Sequence, residues 1–243
     1  MPMPIMKDFN QTFASLDVLE KQNDYLGNAS STDWVYTGYI DEHDDNILVQ
    51  MPNGTTGTVI SSSQYLWYGK VLARMKSSRT AGVVTAFILF SDVQDEIDLE
   101  FVGYDLEIAQ SNYYSQGILN YTNSVNLSTT DTFSDWHLYE FDWSEDRVEW
   151  SIDGNVMRTL NKNDTWNATT NKYNYPQTPS RIQVSICTAG SSLNGVGTIA
   201  WAGGAINSDS EDIQKYGYFY DHIDYISVEN FDLPDGVKLD GIS

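Results

Sequence analysis

Glu96, Asp98 and Glu100 occupy alternate positions of the run Asp95-Glu96-Ile97-Asp98-Leu99-Glu100-Phe101-Val102-Gly103-Tyr104. In a β-strand that spacing sends the three carboxylates to one face of a sheet and Ile97, Leu99 and Phe101 to the other. No lysine or arginine stands nearby in the sequence to offset the charge. Two carboxyl groups facing a shared substrate are what glycoside cleavage requires. In retaining enzymes the pair lies about 5–5.5 Å apart, whereas residues four apart on a straight strand have α-carbons roughly 13 Å apart. Glu96 and Glu100 must therefore lean toward the middle, where Asp98 is placed to hydrogen-bond one of them. Crowded like charges raise at least one pKa, which suits a general acid working near neutral or mildly acidic pH. The plainer readings are a solvated strand face or a calcium site. Ligands alternating along one strand wrap an ion poorly, and no Asp-x-Asp-x-Asp-Gly loop occurs, so neither a metal nor a cofactor is expected.

The elements around this strand read as β throughout. Ser61 to Lys76 alternates in places and is rich in β-formers, and Gly82 to Phe90 is a nearly continuous apolar run, as in a strand buried on both faces. Trp136 to Trp143 and Arg147 to Ile152 flank Ser-Glu-Asp as a hairpin, and Asp153-Gly154 then turns the chain into Val156 to Leu160. Arg181 to Cys187 and Tyr225 to Phe231 complete the set. Only about 209–219 reads as helical, with Asp209, Glu211 and Asp212 early in it. No linker or repeat divides the chain. The expectation is all-β: one domain over 1–243, an antiparallel sandwich with a groove on one face, its first ~20 and last ~10 residues peripheral.

Composition narrows the partners. Lys+Arg number 13 against 34 Asp+Glu, a formal net charge of −21, which excludes nucleic acid and anionic membrane as partners and fits a neutral polysaccharide. Cys187 is the single cysteine, so no intramolecular disulfide can form. Sequons nevertheless occur at Asn10, Asn28, Asn53, Asn120, Asn126, Asn163 and Asn167, more than chance would place, and favour a secreted, glycosylated eukaryotic protein. No apolar run reaches the roughly 18 residues of a membrane span, and the start lacks a signal-peptide core, so the chain reads as a mature or trimmed catalytic region.

Glu96-Ile-Asp-Leu-Glu100 resembles the Glu-x-Asp-x-Glu signature of glycoside hydrolase family 16 in its version without a bulge. Lys76 to Leu89, Asp95 to Gly103, Ser134 to His137, Trp150 to Gly154, Tyr175 to Pro179 and Gly197 to Gly204 further resemble the fungal Crh cell-wall transglycosylases. The resemblance runs from about residue 60 to 230. It implies a β-jelly roll with a concave glycan cleft, with Glu96 as nucleophile, Asp98 as the assisting acid and Glu100 as general acid/base. It also implies that a sugar rather than water resolves the glycosyl-enzyme, joining chitin to β-glucan or chitin acceptors in the cell wall. The alternatives are an endo-hydrolase of chitin or β-1,3-glucan, and a non-catalytic, lectin-like glycan binder. Thr198, Trp201 and Trp136 are candidate substrate-binding residues. Gln183 stands where many Crh proteins have arginine and Cys187 where they commonly have tryptophan, so both bear on the subsites. Of the other candidates, His137 reads as structural, His43 and His222 sit in no motif, and Arg79 and Tyr68 are within reach of the cleft. The expected protein is a monomer at the cell wall or surface, attached to membrane only through a C-terminal anchor beyond Ser243.

Overall fold

The computed structural model describes residues 4–5 and 7–231. The ten C-terminal residues expected at the periphery lie outside them. In chain order the strands are β1 (Phe9–Thr12), β2 (Leu19–Lys21), β3 (Trp34–Thr37), β4 (Tyr39–His43), β5 (Asn46–Pro52) and β6 (Gly57–Ser62). Then follow β7 (Gly69–Lys76), β8 (Val83–Ser91), β9 (Glu96–Val102), β10 (Ile108–Tyr114), β11 (Val125–Ser128) and β12 (His137–Trp143). The last are β13 (Arg147–Ile152), β14 (Asn155–Asn161), β15 (Trp166–Asn167), β16 (Lys172–Tyr173), β17 (Ser180–Thr188) and β18 (Tyr218–Asn230). Two short helices, α1 (Val196–Trp201) and α2 (Glu211–Tyr216), lie between β17 and β18.

Two eight-stranded sheets stack face to face. The front sheet runs β11-β10-β9-β8-β17-β6-β3-β2, and the back sheet β14-β13-β12-β7-β18-β5-β4 with β1 also paired to β18. All pairs are antiparallel except β2 with β3. The jelly-roll sandwich expected from the sequence is therefore present, with this parallel edge added. Near the start, β1 pairs along β18, and Phe13 is fully buried against Trp34. Ser61 to Lys76 changes sheets at residues 63–68, so β6 belongs to the front and β7 to the back. Hydrophobicity alone does not register such a crossing, because both halves bury alternate residues in the same core.

That core explains why β9 is a strand. Ile97, Leu99 and Phe101 are each buried to 1% exposure or less between the sheets. Phe101 packs on Tyr139 with ring centroids 4.7 Å apart, and beside it Phe87 stacks on Phe141 at 4.6 Å. Full burial of side chains this size contributes about 1.5–3 kcal/mol each. The Trp150 indole, from the back sheet, donates to the Asp98 carbonyl at 3.0 Å, fastening β9 from behind.

The start of β9 is fixed by Asp95, which is fully buried. Its Oδ1 accepts from the Gln116 amide at 2.8 Å; its Oδ2 accepts from the Gln177 and Thr178 amides at 3.0 and 3.1 Å and from Thr178 Oγ1 at 2.7 Å. Trp143 and Trp67 donate their indole N–H groups to the carbonyls of Pro176 and Gln177, so this segment is clamped from both sides. One carboxylate thus aligns β9 with the segments that lead out of β10 and into β17. Asp95→Asn replaces an acceptor oxygen by a donor amide facing these N–H groups. It is expected to lower stability by about 3 kcal/mol, read as a fall in denaturation midpoint at unchanged m-value; an unshifted midpoint would contradict the clamp.

Candidate active site

Alternation along β9 places Glu96, Asp98 and Glu100 on the front face, away from the core. In register beside them stand Tyr114, Asn112 and Gln110 of β10, and on the other flank Phe90, Ile88 and Ala86 of β8. A carboxylate row between a polar strand and an apolar one is poorly hydrated, and its acidities show it. Burial pushes Glu96 up to about 7. Burial, then repulsion from Glu96, pushes Glu100 up to about 7 as well. Asp98 is 1% exposed, and no hydrogen bond of ordinary geometry satisfies either carboxylate oxygen. Burial first, then Glu100 and Glu96, hold its acidity well below that of an ordinary aspartate, with its pKa raised; the Asn112 amide and Arg158 are outweighed. At neutral pH the row therefore holds protons as well as charge. Such a set contains a carboxylic acid that can donate a proton beside a carboxylate that can attack.

The face opens into a cavity of about 540 Å³ lined by Glu100, Gln110, Asn112, Tyr114, Tyr121, Ser124, Gly195, Gly197, Thr198 and Trp201. Thr198 and Trp201 come from α1, a helix of one and a half turns that no periodicity announces. Trp201 is pinned: its Nε1 donates to Gln110 Oε1 at 2.7 Å. The Asn112 amide donates to the Tyr114 hydroxyl at 2.8 Å. Burial and the three acids hold the Tyr114 phenol protonated. Gln110, Asn112, Tyr114 and Tyr121 escaped the sequence reading. Their signal was the period-two order Gln-x-Asn-x-Tyr, weak because polar residues and aromatics alternate with Ser111 and Tyr113 rather than with aliphatics.

The other candidates separate. Gln183 lies on the front face, across β8 from Asp98, its Nε2 3.4 Å from Ser61 Oγ. Cys187 packs with Trp201 against Val84, Val102, Ala189 and Ala202. Burial, then Glu100 and Asp221, push its thiol up to about 11, which leaves it a neutral packed group. Trp136 is not at this site: Arg74 and Lys76 lie 4.6 and 5.2 Å from its ring centroid and His222 packs on its edge, all on the back sheet. Period two carried it there, since β7 sends Arg74 and Lys76 outward. Tyr68 is a core residue packed edge-on against Trp143. Arg79 is committed to Asp212 through Nε at 3.0 Å and Nη2 at 2.7 Å. His137 is buried, its Nδ1 2.8 Å from Asp153 Oδ2.

The raised pKa values carry a stability cost with a definite sign. Glu96 and Glu100 bind protons more tightly folded than unfolded. Their stabilising effect is therefore fully present below about pH 4.5, and it is lost as pH climbs through about 7. Glu100→Gln, neutral at every pH, should exceed the parent in stability at about pH 8, by up to about 3 kcal/mol, and match it at about pH 4. Denaturation curves at the two pH values measure this; a gain independent of pH would mean that the acids titrate normally.

Comparison with known proteins agrees with this geometry. Residues 28–203 match the family model for glycosyl hydrolases family 16. The chain is 63% identical, over its whole length, to the Crh-like protein UTR2 of Candida albicans and 52% identical to Congo red hypersensitive protein 2 of Saccharomyces cerevisiae. It spans about half the length of these relatives, 52% and 53%. Among solved structures, apo Crh5 transglycosylase superposes with a TM-score of 0.79 at 28% identity, covering 95% of this chain and 87% of that one. A Crh5 structure in complex with NAG superposes equally well, at 27% identity with the same coverage. The Bacillus licheniformis β-glucanase, at 21% identity and a TM-score of 0.68 over 92% of this chain and 98% of that one, shares the fold. The chain belongs to glycosyl hydrolases family 16, among the fungal Crh-like proteins.

Proposed function

We propose that this domain is a retaining transglycosylase that cleaves chitin and transfers it to β-glucan or chitin acceptors in the fungal cell wall. The observation that carries the reading is the row of three carboxylates on one face of β9, all with pKa raised by burial, with Glu100 lining the cleft. Glu96 attacks the anomeric carbon while Glu100 gives its proton to the leaving glycosidic oxygen, and the carbon–oxygen bond breaks. Asp98, its pKa raised chiefly by burial, is the assisting acid that lets Glu96 carry charge in a dry site. Glu100, now ionised, takes a proton from an acceptor hydroxyl, whose oxygen displaces Glu96.

Whether water or sugar completes the second step depends on the walls. Trp201, held by Gln110, presents an indole on which a sugar ring can stack beside Glu100. Tyr114 and Asn112 offer hydroxyl and amide groups to sugar oxygens. The likeness to a Crh5 solved with NAG supports a carbohydrate in this cleft. We place the protein outside the cell, at the wall, as a monomer. The seven sequons and the −21 charge support an extracellular glycoprotein acting on neutral polysaccharide.

Incubation with chitin oligomers and a labelled laminari-oligosaccharide, followed by mass analysis, tests the proposal. Hybrid oligomers are the expected product; shortened chitin alone would mean an endo-hydrolase, and unchanged sugars a binding protein. Glu96→Gln should lower turnover by about 10³-fold or more, and Glu100→Gln by about 10²–10⁴-fold. Gln110→Leu, which removes the acceptor for the Trp201 N–H, should reduce the transfer-to-hydrolysis ratio about fivefold, the equivalent of one hydrogen bond. Full activity in Glu96→Gln would refute the mechanism.

A further inference from the structure

The loop that joins β10 to β11 separates two cavities. Its Tyr121 and Ser124 line the cleft, while Asn120 and Asn123 line a second cavity of about 360 Å³ behind it. The opposite wall of that second cavity is the segment from Asp164 to Ala168, together with Asn174. Two sequon asparagines, Asn120 and Asn167, therefore border one open pocket.

They are not equivalent. The Asn120 amide donates to Asn123 Oδ1 at 3.0 Å and is engaged in holding its own loop. Asn167 turns only its oxygen inward, accepting from the Thr169 and Thr170 amides at 2.9 and 3.3 Å and so capping the β15–β16 turn. Among the described residues no hydrogen bond engages its Nδ2, the atom to which an N-linked sugar is joined. Immediately before it, Trp166 is 46% exposed, with its ring fixed edge-to-face on Tyr173 at 4.9 Å. From the other wall Ile118 is 59% exposed. Exposed apolar surface of this kind, set among the amides of Asn123 and Asn174, suits a ring with one C–H face, hydroxyls at its rim and an acetamido group. The volume is that of a small-ligand pocket.

We infer that the first sugars of an N-linked glycan on Asn167 fill this cavity, cover Trp166 and brace the loop that carries Tyr121. The inference rests on the extracellular location proposed above. The bond forms during secretion: Asn167 Nδ2 attacks C1 of a lipid-pyrophosphate-linked oligosaccharide, loses one proton, and the lipid pyrophosphate leaves. The glycan then ties two segments that share no strand pairing, and stiffens one wall of the substrate cleft.

The test uses the chain secreted from a yeast host, with site occupancy read by peptide mass spectrometry. Asn167 should carry a glycan. Asn167→Gln and Thr169→Ala should each lower Tm by about 2–4 °C, while Thr169→Ser, which preserves the sequon, should not. Trimming to a single N-acetylglucosamine should keep the parent Tm. In a Trp166→Ala background, Thr169→Ala should change Tm by less than about 1 °C. Amide exchange across residues 115–124 should speed up several-fold in Asn167→Gln. Absence of sugar from all seven sequons would overturn the extracellular reading and this inference together. A glycan on Asn167 whose removal alters neither Tm nor loop exchange would overturn this inference alone. If, in addition, Trp166→Ala raised KM for the oligosaccharide, the cavity would be an extension of the substrate cleft.

Discussion

Three acids can share a strand only if something other than the acids holds that strand in place. In this protein the holding is done from behind. Ile97, Leu99 and Phe101 are buried in the sandwich, the Trp150 indole grips the Asp98 carbonyl, and Asp95 ties the strand's first turn to two other segments. The apolar face supplies the free energy and the carboxylate face spends part of it. Everything else at the site follows from a backbone that cannot relax away from its own charge.

That constraint also sets the chemistry. An exposed row of carboxylates would be ionised and inert as an acid at neutral pH. Burial between the polar strand β10 and the apolar strand β8 raises all three, and their proximity raises them further. The same desolvation that makes the row a proton donor makes it a destabilising element above neutral pH. A site of this kind trades stability for reactivity, as functional sites commonly do.

In the proposed reading, substrate preference rests on residues far apart in the chain. Gln110 and Asn112 come from β10, Gln183 and Cys187 from β17, and Thr198 and Trp201 from α1. The Trp201–Gln110 hydrogen bond joins residues 91 positions apart and puts an aromatic plate beside Glu100. Cys187, a neutral thiol, packs near that plate against Val84, Val102, Ala189 and Ala202.

How much of this could be read from the sequence follows from the range of the interactions concerned. The acidic row, its period of two and its opposite apolar face are local, so Glu96, Asp98 and Glu100 and the β character of the chain were legible directly. So were the Trp136–Trp143 and Arg147–Ile152 hairpin and the buried Gly82–Phe90 strand, because turn residues and hydrophobic runs act over a few positions. Strand β10 was not legible, since its outward side is polar and aromatic rather than aliphatic. Nor was α1, too short to show a helical period. Trp136 illustrates the limit best: its neighbours in sequence permit either sheet, and only the pairing of β7, β12 and β18 sends it to the back among Arg74, Lys76 and His222. Asp95 looked like one more acid of the run, yet its partners lie up to 83 residues away. Sequence alone determined which groups could do the chemistry, because alternation on one strand is a local property. Tertiary structure decided which walls face them and how strongly they hold their protons, because pairing and burial join segments that are distant in the chain.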